Sequence, residues 1–351
     1  MPSRHLYRSV LVAAAALLLG SCGGTTAPAN PPTPARPENT QAAPIIEAGA
    51  GEVLPQDAGL DAAPEGGVAD QDAAGASPCP AGMVHVQHDF CPKVERRCSR
   101  RELNKPNHLM LCHSFEPGST KCQAPRTHLD YCIDEYEYPN REGGHPPWIV
   151  SWYDAEATCR NLGKRTCWDW EWVAACEGPE ETPFPYGWNR DNTKCNIDNT
   201  WIDPHLGDAY SHDPQVALRE LSRIDQSVPS GSMAGCVSGF GVHDLTGNFD
   251  EWVTRTDRTD GEKSQWAGLK GGAWGHVRNA CRPMTTSHPP EFTYYFISFR
   301  CCKDLAGAAP FVPPGSTPPP AVQPADKAPI PQPINPPGPS KQKVKPLNRG
   351  S

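Results

Sequence analysis

Apolar and polar positions divide the chain into stretches of very different character. Leu11–Gly20 (LVAAAALLLG) is an unbroken apolar run of ten residues behind Arg4 and Arg8. That is too short to span a bilayer, and a basic start before a short apolar run predicts a secretory signal over 1–21. Gly23–Pro78 contains no aromatic residue and is dominated by Ala, Pro, Gly, Thr and Asp. Such a segment cannot bury enough apolar surface to offset its ordering entropy, so 22–78 is expected to be a disordered tether.

Elements become readable within Cys79–Asp304, which holds all ten tryptophans. Met83–Val86 predicts a strand. VSWYDAEATCRNLGKR predicts a helix with Ser151 as N-cap, Asp154 at the third helical position and Gly163 closing it. In TCWDWEWVAACEG, Thr166 and Asp169 repeat the capping arrangement and Gly178 ends a second helix. Trp168, Trp172, Val173 and Cys176 fall near one face of it. Beyond Gly178, short apolar pieces alternate with Gly, Asn, Asp and Pro, with strand-like runs at Glu251–Thr254 and Phe292–Cys302. This is the pattern of one α+β domain with few long elements and much ordered loop. From Leu305 to Ser351 there are fourteen prolines in forty-seven residues, which favours an extended, disordered tail without a core.

Charge and cysteine usage narrow the function classes. A net charge of −8 with no long basic block argues against nucleic acid as a partner. Leu19-Gly20-Ser21-Cys22 resembles a bacterial lipobox, with cleavage before Cys22 and lipidation of its thiol. Gly23, rather than aspartate, after Cys22 implies the outer membrane of a Gram-negative cell, with the domain facing the periplasm or cell surface. Of fifteen cysteines, Cys22 aside, fourteen remain; in an oxidising compartment they predict up to seven disulfides. No C-x-x-C occurs, so no zinc ribbon is expected. The segment 79–131, with Cys91, Cys98, Cys112 and Cys122, reads as a strand followed by a disulfide-tied insertion.

Six blocks in order carry a family resemblance: VSWYDAEATCRNLGKRTCWDWEWVAAC, PFPYGWN, CNID, GVHDLTGNFDEWV, LKGGAW and ISFRCC. They resemble formylglycine-generating enzymes and the wider sulfatase-modifying-factor domain, over roughly 132–304. The resemblance implies a variant C-type-lectin-like fold, loop-rich and disulfide-stapled. Authentic formylglycine-generating enzymes oxidise a sulfatase cysteine with oxygen and copper, using two cysteines in a GGS-x-x-C-x-x-x-x-C arrangement, because paired thiolates suit Cu(I). Counted from Gly271-Gly272, His276 stands at the first of these positions and Cys281 at the second.

The same resemblance offers Cys281 a structural role. Cys159 and Cys176 match two family cysteines that pair with the terminal FRC cysteine and with a later cysteine. On that pattern Cys281 bridges Cys176, Cys159 bridges Cys301 or Cys302, and Cys132 takes the other of that vicinal pair. The resemblance also implies calcium held by Asn248 and Glu251, and a second ion at Asn196 and the backbone carbonyl of Ile197. The plainer alternative has Asn248 shaping a turn and Glu251 exposed. Trp172, Trp252 and Trp274 are expected in the core, and GHPPW (144–148) and TTSHPPEF (285–292) on surface loops.

Two functions therefore stand. One is a membrane-anchored family domain without the copper pair, serving as a binding or scaffold module for a periplasmic or surface protein, peptide or glycan. The other is a divergent metal-dependent oxidase acting through His276 and Cys281, with copper as its cofactor.

Overall fold

The computed structural model describes residues 77–104, 108–257 and 265–321. The apolar run, Cys22, the tether up to 76 and the tail beyond 321 lie outside the described residues. β1 (Met83–Phe90) runs past the expected strand end at Val86. The cysteine-dense segment follows as β2 (Val94–Glu95), β3 (Cys98–Asn104), β4 (Leu109–Phe115) and β5 (Lys121–Cys122). β6 (Thr127–Asp134) then pairs antiparallel with the full length of β1, from Met83↔Asp134 to Phe90↔Thr127. That pairing extends β1. The boundary expected between 131 and 132 thus falls inside β6.

α1 (Trp152–Asn161) starts as its sequence predicts. Ser151 Oγ accepts from the Asp154 N–H at 3.2 Å, and Asp154 accepts from the Ser151 N–H at 3.1 Å. β7 (Arg165–Thr166) leads to α2 (Asp169–Glu177), whose cap is Trp168 rather than Thr166. The Trp168 N–H donates to Glu171 Oε2 at 2.8 Å. Thr166 is committed elsewhere: it pairs with Cys301, and its hydroxyl meets Glu156 and Thr254. All of α2 except Trp170 is buried, so it lies inside the domain rather than against one side of it.

α3 (Leu206–Ala209) and α4 (Pro214–Ile224) follow; the sequence reading missed α4. Its start signal is present nonetheless: Asp213 accepts from the Gln215 N–H at 2.9 Å, and Pro214 occupies the first turn. The chain closes with β8 (Asp250–Thr254), β9 (Ala267–Lys270), β10 (Met284–Thr285), β11 (Ile297–Ser298) and β12 (Cys301–Asp304). The single strand expected over Phe292–Cys302 is therefore divided. Tyr294 O accepts from both Ile149 and Ile297 N–H groups, which turns the chain before β11.

Two four-stranded sheets result, in the orders β1-β6-β12-β7 and β10-β9-β8-β11. α2 sets Trp172, Val173 and Cys176 against Val86, Leu129 and Ile133 of the first sheet and Val253 of the second. α1 sets Trp152, Ala155 and Cys159 against Trp252, Leu269, Ile297 and Phe299. Each large apolar side chain buried this way contributes about 1.5–3 kcal/mol. Trp172, Trp252 and Trp274 are core, at 0%, 1% and 2% exposure. The Pro-rich segment is anchored at its start: Phe311 packs on the α2 core and its carbonyl accepts from Trp168 Nε1 at 2.9 Å.

Seven disulfides tie the described residues together: Cys79–Cys132, Cys91–Cys122, Cys98–Cys112, Cys159–Cys301, Cys167–Cys302, Cys176–Cys281 and Cys195–Cys236. The expected pairing of Cys132 with the vicinal pair is corrected. Cys302 lies opposite Ile133 in the β12–β6 ladder, so strand alternation sends Cys302 and Cys132 to opposite faces. Cys302 meets Cys167 instead, and Cys132 meets Cys79.

Candidate functional site

The stretch from Lys270 to Pro283 leaves β9 through Gly271 and Gly272, at φ 87° and 69°. Both positions need glycine. A Cβ on Gly271 would stand 3.0 Å from Leu245 O, and one on Gly272 would stand 2.9 Å from Asn279 Nδ2. The turn then curls over Asn279, which is fully buried. Its Nδ2 donates to Gly272 O at 2.8 Å, Ala273 O at 3.0 Å and Gly271 O at 3.2 Å. Arg190 reaches in from the opposite side and donates to Asn279 Oδ1 at 2.9 Å and Asn279 O at 3.1 Å. Lys270 fastens the far end, donating to Arg282 O at 2.8 Å and Cys281 O at 3.2 Å. Burial lowers its ammonium pKa to about 8. Asn279, Arg190 and Lys270 were not singled out from sequence; an isolated amide or cation carries no motif.

His276 sits half-buried on this loop, its ring centroid 6.1 Å from that of Phe296, and its Nδ1 is buried without a partner. Asp250 is the nearby acid: burial raises its carboxyl pKa, and His276 and the Gly272 N–H, which donates to Oδ1 at 2.9 Å, oppose that rise. Cys281 is bonded to Cys176 of α2 and is 0% exposed. It has no thiolate to present beside His276. The soft two-thiolate donor set that copper needs is therefore not assembled here, and the residues do not fit that metal.

The residues expected to hold calcium form a buried polar centre of another kind. Glu251 accepts from Arg300 through Nε at 2.7 Å and NH2 at 2.6 Å, and from Trp172 Nε1 at 2.8 Å. Arg300 is 1% exposed, so a guanidinium already supplies the cation that this carboxylate requires. Asn248 Oδ1 accepts from the Val228 N–H at 2.9 Å and Asn196 Nδ2 at 3.1 Å, which uses both of its lone pairs. Asn196 Oδ1 accepts from Asn199 at 2.9 Å, and the neighbouring Asp198 is gripped by Arg190. Calcium takes six to eight oxygens. Neither Asn248 with Glu251 nor Asn196 with Ile197 offers a free set, so the donors do not fit calcium. The expectation of an exposed Glu251 fails as well, since it is 1% exposed.

Glu137 completes this centre. Its Oε2 accepts from Asn248 Nδ2 at 2.8 Å and Ser230 Oγ at 3.0 Å, while Oε1 has no partner. Burial holds its carboxyl pKa well above the usual range, and Asp244 and Glu251 push the same way. Elsewhere, His205, Asp208 and Glu220 bring ligand atoms within 4.8 Å of one another. Both Glu220 oxygens are taken by Arg223, however, and that group is occupied without a metal. Of the loops expected at the surface, GHPPW is not one: Gly144, Pro146 and Pro147 are buried. In TTSHPPEF, Ser287 and Glu291 are exposed and His288 stacks on Phe292 at 3.9 Å.

Formylglycine-generating enzyme of Mus musculus is 24% identical over 176 residues, which is 46% of this chain and 44% of that protein. The chain thus spans less than half the length of that relative. Among solved structures, CarF is 15% identical and covers 64% of this chain and 98% of its own, with a TM-score of 0.42. PvdO from Pseudomonas aeruginosa is 15% identical over 66% of this chain and 96% of its own, with a TM-score of 0.36. The profile of the sulfatase-modifying factor enzyme 1-like domain matches residues 119–305, just over half of the chain, and the protein belongs to that family.

Proposed function

We propose that this protein is a binding module built on the sulfatase-modifying-factor fold, without copper–dithiolate chemistry, exported and held at the outer membrane through lipid on Cys22. The observation that carries the reading is the buried Cys176–Cys281 bridge. It removes the thiol on which an oxidase built from His276 and Cys281 would depend. His276 alone offers one imidazole, too little to hold Cu(I) for oxygen chemistry. What remains is a rigid, heavily cross-linked frame that presents loops, suited to recognising a periplasmic or surface partner.

The test counts thiols. The intact chain is alkylated in denaturant without reductant, mapped by mass spectrometry, and titrated separately with Cu(I). No alkylated cysteine is expected from Cys79 onward, and no copper is expected to be retained. A free Cys281 thiol together with near-stoichiometric copper would overturn the binding-module reading in favour of the oxidase.

A further inference from the structure

A cavity of about 190 Å³ opens where β4 meets the Lys270–Pro283 loop. Four arginines line it, Arg96, Arg190, Arg278 and Arg282, and no acidic residue does. The chain as a whole carries −8, so this is a cationic spot on an acidic protein. Three of these arginines are neutralised from behind. Arg96 and Arg282 share Glu177, and Arg190 grips Asp198. Arg278 differs: its guanidinium donates to Thr285 Oγ1 at 2.8 Å, and among the described residues it makes no salt bridge, only a longer-range interaction with buried Asp250. The rest of the wall is apolar, from Leu111, Phe115, Phe184 and Val277.

The edge of β4 supplies a second observation. At 113–115 its outer side is paired, through Arg190 N–H to His113 O at 2.8 Å and Phe115 N–H to Trp188 O at 3.0 Å. Along Leu109–Cys112 no such backbone bond exists among the described residues, and Met110 and Leu111 line the cavity there. An open strand edge beside a pocket is the arrangement by which extended peptides are bound: backbone groups give affinity and alternate side chains enter the pocket. Met110 is 61% exposed and continues the apolar surface outward. The cavity is smaller than a drug-sized site and suits one or two side chains.

We infer that this groove binds an extended peptide segment of a partner protein, one that sets a carboxylate on Arg278 and an apolar side chain against Leu111 and the Phe115 ring, which rests edge-on against buried Phe184. The inference rests on the binding-module reading and gives it a ligand class. Arg96 and the β4 wall precede the matched segment 119–305, while Arg190, Arg278 and Arg282 lie within it, so the groove forms where the two meet.

The experiment selects displayed randomised short peptides on the immobilised, disulfide-intact full chain, then measures synthetic winners by titration. Winners are expected to pair Asp or Glu with Phe, Leu or Val on alternate positions. Their affinity should fall about tenfold or more in Arg278→Gln, the scale of a lost charge-assisted bond. Met110→Glu, a change at an exposed site that leaves the fold intact, should weaken them by repulsion. N-methylation of alternate peptide nitrogens should abolish binding. Basic or uncharged winners, or winners indifferent to both variants, would overturn the groove while leaving a binding module that acts elsewhere. A failure to select any peptide would also overturn the groove; the thiol map decides the binding-module reading independently.

Discussion

Single side chains hold this protein's centre, and their value lies in what they leave unsatisfied when removed. Arg300 is buried against Glu251, and Trp172 Nε1 and Arg300 Nε both donate to the same carboxylate oxygen. In Glu251→Gln an amide NH2 faces those donors, or the amide oxygen serves them and the cation loses its hydrogen-bonded carboxylate. Breaking a buried pair on one side costs about 3–5 kcal/mol. Chemical denaturation of the variant should show a loss of that size. A loss under about 1 kcal/mol would mean that the pair is not buried in solution. None of this was legible from GNFDEW and ISFRCC alone, because the two residues are forty-nine positions apart and meet only in the folded core.

The helices illustrate the opposite case. α1 could be delimited from sequence because its signals are local: the Ser151 and Asp154 side chains each accept from the other's backbone N–H, and Gly163 adopts φ 66° just past the end. Ser151→Ala removes the cap acceptor and should cost about 1 kcal/mol. Thermal unfolding of the intact-disulfide form reads that loss directly; an unchanged midpoint would show that the cap is dispensable. For α2 the same capping logic selected Thr166 and failed, since β7 pairing with β12 claims that residue first. A strand contact with Cys301, more than a hundred residues away, outcompeted a local preference. α4 had both signals, Asp213 and Pro214, within the same few residues.

The folded domain encloses many carboxyls, and its stability should reflect them. Burial raises the pKa of Asp244 to about 6, even though the Gly231 N–H and Arg300 oppose it. Unfolded, the group titrates near 4, so between about pH 4 and pH 6 the folded state binds more protons than the unfolded one. Stability from this group is therefore fully present below pH 4 and is lost as pH rises through 6, by about 2–3 kcal/mol. Urea unfolding across that window should show wild type losing ground to Asp244→Asn as pH increases. Parallel profiles would refute the assignment.

Local chemistry, then, was enough to establish the cap of α1, because Ser151 and Asp154 lie within one turn of each other, while six sequence blocks in order carried the resemblance to the family and its α+β fold. The chain fold had to settle the rest. Strand register sent Cys132 and Cys302 to opposite faces, and the packed core delivered Arg300 to Glu251 in place of a metal. The meeting of β4 with the Lys270–Pro283 loop created the arginine-lined groove. Each of these is a contact between distant segments, and its partners are fixed only when sheets and helices close upon one another.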